Sequence, residues 1–391
     1  MRIKRVPEDF RVEEEIALPG GERGAYAYYR VEKRNLTTLK VRDRLAARLK
    51  VTPSALVFPA LKDASAEAVQ YASVRKRGPD HVTDRGFIAQ RVQWGPRALR
   101  PKDVLGNQFA IVVRDLAEED VPALTDALLK LDAKGLPNYF DEQRFGSLSD
   151  KGFIGKAILL RDAEQVVRFY LEEPMRGDPA NVREFKALVQ THWGQWGFLL
   201  HQAPRPSNFR SVITYLKDHP HDYRKAVNLI QDRLLSVYLS AYQSWIWNRI
   251  TGCYFDSLAS APYTVEIADV DFPLPEASAI SDKAKALKID LPRLTARYEE
   301  AVGEAAQTVF EMEGLTLHDF KARILRRVYL SKGERAVWFT PTAVEVSAPY
   351  PDEYTPGRQA VTVHFTLQSG CYATLVMKAA ASYSGLSFRT R

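Results

Sequence analysis

LPNYFDEQRFGS, residues 136 to 147, gathers one amide (Asn138), two rings able to stack (Tyr139, Phe140) and four charged or amide side chains (Asp141 to Arg144). It closes on Phe145 and Gly146. Pro137 and Gly146 mark a loop or strand end and not a helix interior. The stretch stands at a seam. Just upstream, Val121, Leu124, Leu128 and Leu131 recur at helical spacing and Gly135 supplies a C-cap. Further back, 108–114 and 87–94 read as strands, and Val41, Leu45 and Leu49 give one stripe of a helix starting near Thr38. Residues 1–35 alternate like two paired strands, with Phe10, Val12 and Ile16 on one face and Gly20-Gly21 between them. Beyond 150 the character changes: 221–251 contains neither Gly nor Pro, 282–314 is rich in Ala, Lys and Glu, and both read as mainly helical. Strands return in AVTVHFTL, 360–367, where Val361, Val363, Phe365 and Leu367 share a face. Strand-rich ends around a helix-rich middle predict an α+β fold: a split domain, 1–150 plus 330–391, carrying an inserted one, 151–329.

Composition bounds the function. A chain of 391 residues is long for one hydrophobic core, so two domains are expected. Hydrophobic residues at 46% and charged residues at 26% describe an ordinary globular protein. No run reaches the roughly 18 apolar residues of a membrane span. The charged start, MRIKRVPEDFRVEEE, has no secretory h-region. Two cysteines, Cys253 and Cys371, are too few for a disulfide scaffold or a four-cysteine zinc site, so the expected location is the cytoplasm. A net charge of +7 favours an anionic partner, nucleic acid before membrane.

Little of the usual catalytic apparatus is present. The seven histidines form no HExxH or paired metal spacing, and no GxGxxG or GxxxxGK[ST] cradles a nucleotide. Neither a metal nor a cofactor is expected. One carboxylate stands out: in VFPALKDASAEAVQY, 57–71, Asp63 sits where a short apolar strand breaks into a polar turn. Strand ends carry side chains into clefts on a rigid scaffold. The plainer reading has Asp63 capping the Ala-rich segment 64–72.

Six segments in order resemble the TruD family of pseudouridine synthases. ALKD followed by AEAVQ resembles its AGxKDrxAvTxQ box, and PNYFDEQRFGS its NYFGxQRFG box. IKRVPEDFRVEE, VLGNQFAIVVRDL, YLSAYQSWIWN and SGCYATLVMK resemble four further boxes, and together they span residues 4 to 378. The resemblance implies a pseudouridine-synthase domain with a mixed or antiparallel sheet, an inserted mainly helical TRUD domain, and conversion of uridine 13 of tRNA to pseudouridine. It implies Asp63 as nucleophile, Lys4 as its cationic partner, and Phe10, Asn138, Phe140 and Tyr372 around the nucleoside. Lys62, Gln143 and Arg144 of the same boxes are expected on the substrate side, although Lys62 points away from Asp63 if 60–63 is extended. Pseudouridine formation breaks N1–C1′ and joins C5 to C1′, so a monomer needing no cofactor, metal or membrane is expected, with tRNA as partner. A nucleophilic carboxylate must be ionised, and a lysine beside it favours that form. An aromatic pocket offsets the stacking lost when the base leaves its helix.

This sequence departs from the pattern at Ala60, Ala64, Ala68, Asp141 and Lys378-Ala379. Two other classes fit less of it: an RNA-binding protein or chaperone that lost catalysis, and a nucleosidase-like hydrolase. Arg75, Lys76 and Arg77 are expected to contribute to a basic RNA groove.

Overall fold

The computed structural model describes residues 1–20, 24–64, 66–75, 78–205 and 207–390. It divides into two compact units, one made of Met1–Leu136 with Phe339–Arg391 and the other of Pro137–Trp338.

The first unit is built on one large sheet. Its main path runs Thr342–Val346, Gln359–Gln368, Val104–Leu116, Phe10–Ile16, Glu67–Val74, Tyr26–Arg34, Phe87–Gly95 and His81–Asp84. Along this path only Phe10–Ile16 and Glu67–Val74 are parallel, with Arg11 opposite Glu67. The expected pairing of the first two strands is therefore corrected: both form, but Glu67–Val74 lies between them. The reason is burial. Ala68, Val69, Ala72 and Val74 are buried with Gln70 and Ser73, so this strand is covered on both faces and takes the interior position. Gly21, expected at the turn, lies outside the described residues. The alternation of 360–367 is realised, since Val361, Val363, Phe365 and Leu367 are all buried. Phe10, Phe109 and Phe365 form a row across three neighbouring strands, with ring centroids 5.8 and 5.4 Å apart. The helix Thr38–Arg48 buries Val41 and Leu45 in a cluster with Tyr29, Val31 and Ala72.

This topology sets the site. The parallel pair brings the starts of Phe10–Ile16 and Glu67–Val74 to one end of the sheet. The antiparallel neighbour Tyr26–Arg34 brings its finish there too, with Lys33 opposite Ala68.

The second unit centres on the helix Asp232–Leu258, packed against Ile154–Leu159 and Glu300–Glu313. Trp247, Tyr242 and Phe255 on it are fully buried. The segment 282–314 is only partly helical. Lys288–Asp290 pairs as a strand with Glu334–Ala336, and Pro292 follows where a helix would need a donor. The unit borders fall at 136/137 and 338/339, so LPNYFDEQRFGS belongs to the second unit almost entirely.

Candidate active site

Asp63 lies in the loop between Leu56–Val57 and Glu67–Val74. The residues after it form a strand, so there is no helix there for Asp63 to cap. Its carboxylate accepts a hydrogen bond from Lys4 Nζ at 2.9 Å, and its side chain is 41% exposed while that of Lys4 is 10% exposed. The Lys4 ammonium also sits 4.1 Å from the centre of the buried Phe10 ring. Lys4 has φ of 58°, a left-handed conformation that costs a non-glycine residue on the order of 1 kcal/mol or more.

The turn after Lys4 is fixed from below. Asp9 accepts from the Val6 amide at 3.1 Å and from the Arg114 Nε at 2.9 Å, and Arg114 also donates to Asp352 at 3.0 Å. All three charged groups are buried. The arginine satisfies two carboxylates at once, which is the condition under which a buried charge is tolerated.

The Asp63 loop is held at its backbone as well. Lys33, buried on the neighbouring strand, donates its ammonium to the Asp63 carbonyl. The Lys62 amide donates to Thr38 Oγ1 at 2.9 Å. Burial pushes the Lys33 ammonium down to about 8, opposed by Asp63 and reinforced by Lys62. The Lys62 side chain is buried: its ammonium pairs with Glu14 at 3.2 Å and donates to Asn107. Burial pushes Lys62 down and Glu14 up, each opposed by the other. Lys62 thus fastens the loop to the sheet from the face carrying Glu14. Ala60 adopts no positive φ, so its backbone does not require the family's glycine.

In the second unit, the NYF triplet is anchored to the helix Asp232–Leu258. Asn248 Oδ1 accepts from the Phe140 amide and its Nδ2 donates to the Phe140 carbonyl, both at 2.8 Å. The Phe140 ring meets Trp247 edge-on at 5.5 Å, and the Arg335 guanidinium lies 4.0 Å from its centre. Arg335 donates to Asn138 Oδ1 at 2.7 Å and to the Asn138 carbonyl at 2.8 Å, and Asn138 Nδ2 donates to Ala336 O at 3.0 Å. Arg144 donates from Nε to Ser244 at 3.0 Å, and Gln143 is exposed beside it. Asp141 has φ of −102°, an extended backbone that does not require the family's glycine.

Tyr372 stands half-buried at the start of the helix Ala373–Tyr383, in the first unit. Sequence reading missed Lys33, Glu14, Asn107, Asn248 and Arg335 as parts of this machinery. Glu14, Asn107 and Asn248 do fall within the quoted segments IKRVPEDFRVEE, VLGNQFAIVVRDL and YLSAYQSWIWN, which was the available signal; Lys33 and Arg335 sit in strands with nothing local to mark them. Arg75 is exposed, whereas Lys76 and Arg77 lie outside the described residues. Among the described residues no group of three or more His, Cys, Asp or Glu is arranged to hold a metal ion, and no helix is long and apolar enough to cross a membrane.

With this geometry in place, similarity to known proteins can be stated. The sequence profile of the family described as tRNA pseudouridine synthase D (TruD) matches residues 1–266 and 274–380. The tRNA pseudouridine synthase D of Geobacter sp. (strain M21) is 29% identical over 96% of this chain and 94% of its own length. That of Syntrophotalea carbinolica is 28% identical over 96% and 94%. A crystal structure from Methanosarcina mazei, provisionally described as tRNA pseudouridine synthase D, shares the fold with a TM-score of 0.71. It is 22% identical and covers 98% of this chain and 93% of its own. The profile spans nearly the whole sequence, and the chain belongs to the tRNA pseudouridine synthase D (TruD) family.

Proposed function

We propose that this protein isomerises uridine to pseudouridine in tRNA, with position 13 as target, and that Asp63 acts at C1′ of the flipped nucleotide. The observation that carries the reading is the Asp63 carboxylate itself: partly exposed, ion-paired to Lys4 at 2.9 Å, and set in a loop tied down by Lys33, Lys62 and Thr38. A nucleophile needs this combination of an accessible oxygen and a fixed backbone.

The chemistry balances without a co-reactant. The carboxylate attacks C1′ as the N1–C1′ bond breaks, or it removes the 2′ hydrogen to give a glycal. The bonding pair leaves with the uracil, which turns in place. C5 then bonds to C1′ as the Asp63 O–C1′ bond breaks or, from the glycal, as the carboxyl returns its proton to C2′; the C5 hydrogen departs as a proton, and N1 ends protonated. Lys4 balances the carboxylate charge in the ground state, and its ammonium lies against the Phe10 ring. Phe140, gripped by Asn248 and Trp247, supplies a ring for the displaced base, and Arg335 and Asn138 fix that ring's position. Tyr372, Gln143 and Arg144 are assigned to contacts with the RNA. The proposed tRNA substrate is in keeping with a cytoplasmic protein.

Incubating the purified protein with an unmodified tRNA transcript and mapping pseudouridine chemically tests the reading. A single new pseudouridine at position 13 is expected. Binding without modification would instead identify an RNA-binding protein of the same fold.

A further inference from the structure

The segment Lys321–Gly333, KARILRRVYLSKG, contains five Lys or Arg residues and no Asp or Glu in thirteen positions. The chain average, 55 of 391, would give about two. All five cations are exposed. Arg323 contacts His318. Among the described residues, Lys321, Arg326, Arg327 and Lys332 form no ion pair, while nearby Asp319 is engaged by Thr316 and Arg161. Unpaired charge of one sign is what a surface meant for an opposite polyanion carries. Tyr329 lies among these cations at 80% exposure, the highest of any large apolar or aromatic side chain among the described residues. An open ring between unpaired arginines is the pattern of a base-stacking platform on a phosphate-binding track.

The segment is not a loose loop. Ile324 and Val328 are buried beneath it. Asn228 donates to the Ile324 carbonyl at 2.8 Å and accepts from the Arg326 amide at 3.1 Å. Gln243 donates to the Ser331 carbonyl at 2.9 Å, from the same helix whose Asn248 grips Phe140. Two residues past the segment is Arg335, over the Phe140 ring. Tyr329 is six residues from Arg335, so at full extension the two are within about 20 Å. One helix therefore registers an exposed cationic track against the proposed base pocket.

We infer that Lys321–Gly333 is a docking strap for the tRNA strand flanking the target uridine, with Arg326, Arg327 and Lys332 on phosphates and Tyr329 stacked on an unpaired base. The inference rests on the tRNA-modifying reading above and adds the surface that receives the substrate beyond its reacting nucleotide.

The test compares wild type with Arg326→Gln/Arg327→Gln/Lys332→Gln and, separately, Tyr329→Ala. Affinity for a tRNA transcript is measured from roughly 50 to 200 mM salt, alongside melting temperature and single-turnover rate at saturating RNA. The triple variant should lower the slope of log K against log salt by about 2 to 3, since each phosphate contact contributes about 0.7 to 0.9. Tyr329→Ala should weaken binding about tenfold with the slope unchanged. Both should keep the saturated single-turnover rate within about twofold and melt with wild type. The charge-keeping variant Arg326→Lys/Arg327→Lys should retain the wild-type slope, which separates lost charge from lost folding. Unchanged slope and affinity in the triple variant would overturn the strap, as would a lost rate at saturation with affinity intact. The slope comparison needs no turnover, so wild-type protein that bound tRNA without modifying it would contradict the catalytic reading and leave the docking result standing.

Discussion

The Asp63 loop and the NYF triplet solve opposite physical problems. Around Asp63 the structure uses charge: Lys4 and Lys33 approach one short loop, Lys62 reaches out of it to Glu14, and the carboxylate remains partly open to water. Around Phe140 it uses shape and amide pairing: a buried ring, its backbone doubly hydrogen-bonded to Asn248, and guanidinium packing. The first arrangement holds a carboxylate whose charge matters to the proposed reaction. The second holds a surface in place and needs no titratable group at all. Substitutions should therefore cost activity at the first and stability at the second.

Phe140→Ala probes that contrast with the largest stability effect. It should lower folding stability by about 3–5 kcal/mol through the cavity it leaves, seen as a lower melting temperature, along with lower turnover from lost stacking. Asn248→Ala leaves two buried Phe140 backbone groups without their partner and should cost about 2–5 kcal/mol. If either variant melts like wild type, the NYF anchor is not structural. Lys4→Met should do the reverse, lowering single-turnover rate about a hundredfold by misplacing Asp63 while melting near wild type. A rate within about threefold of wild type would remove Lys4 from the site.

Lys33 offers a smaller effect with a sign that can be checked. Its ammonium is pushed down to about 8, below the ordinary value of 10.5. Above pH 8 the folded protein gives up a proton that the unfolded chain keeps until about 10.5, so the unfolded state binds more protons and this group's contribution makes stability rise with pH across that window. Turnover should move the other way, falling several-fold between about pH 7 and 9 as the charge at the Asp63 carbonyl is lost. Lys33→Gln should be slower than wild type and flat over the same range. An unchanged pH profile in that variant would mean Lys33 is only a buried side chain.

Much of the fold was readable in advance because 361–367 and 41–49 repeat at strand and helix periods, and the candidate site could be named because its residues lie in contiguous boxes. What escaped reading came from pairings distant in sequence. Nothing local shows that Glu67–Val74 inserts between two strands that resemble a hairpin. Lys33 meets Asp63 thirty positions away, and Arg335 meets Asn138 nearly two hundred away. Glu14 looks like the polar side of a strand until Lys62 is found covering it. The departures at Ala60 and Asp141 were legible as differences, but their harmlessness to the backbone needed φ angles to see.

The central claim is that the Asp63 carboxylate performs the reaction and does not merely bind RNA. Asp63→Asn keeps the side chain's shape and removes its charge, so single-turnover pseudouridine formation on a tRNA transcript, with affinity measured in parallel, addresses it directly. The account predicts turnover reduced by at least about a thousandfold, or roughly 4 kcal/mol of barrier, with tRNA affinity nearly unchanged. Residual turnover within about tenfold of wild type would contradict it.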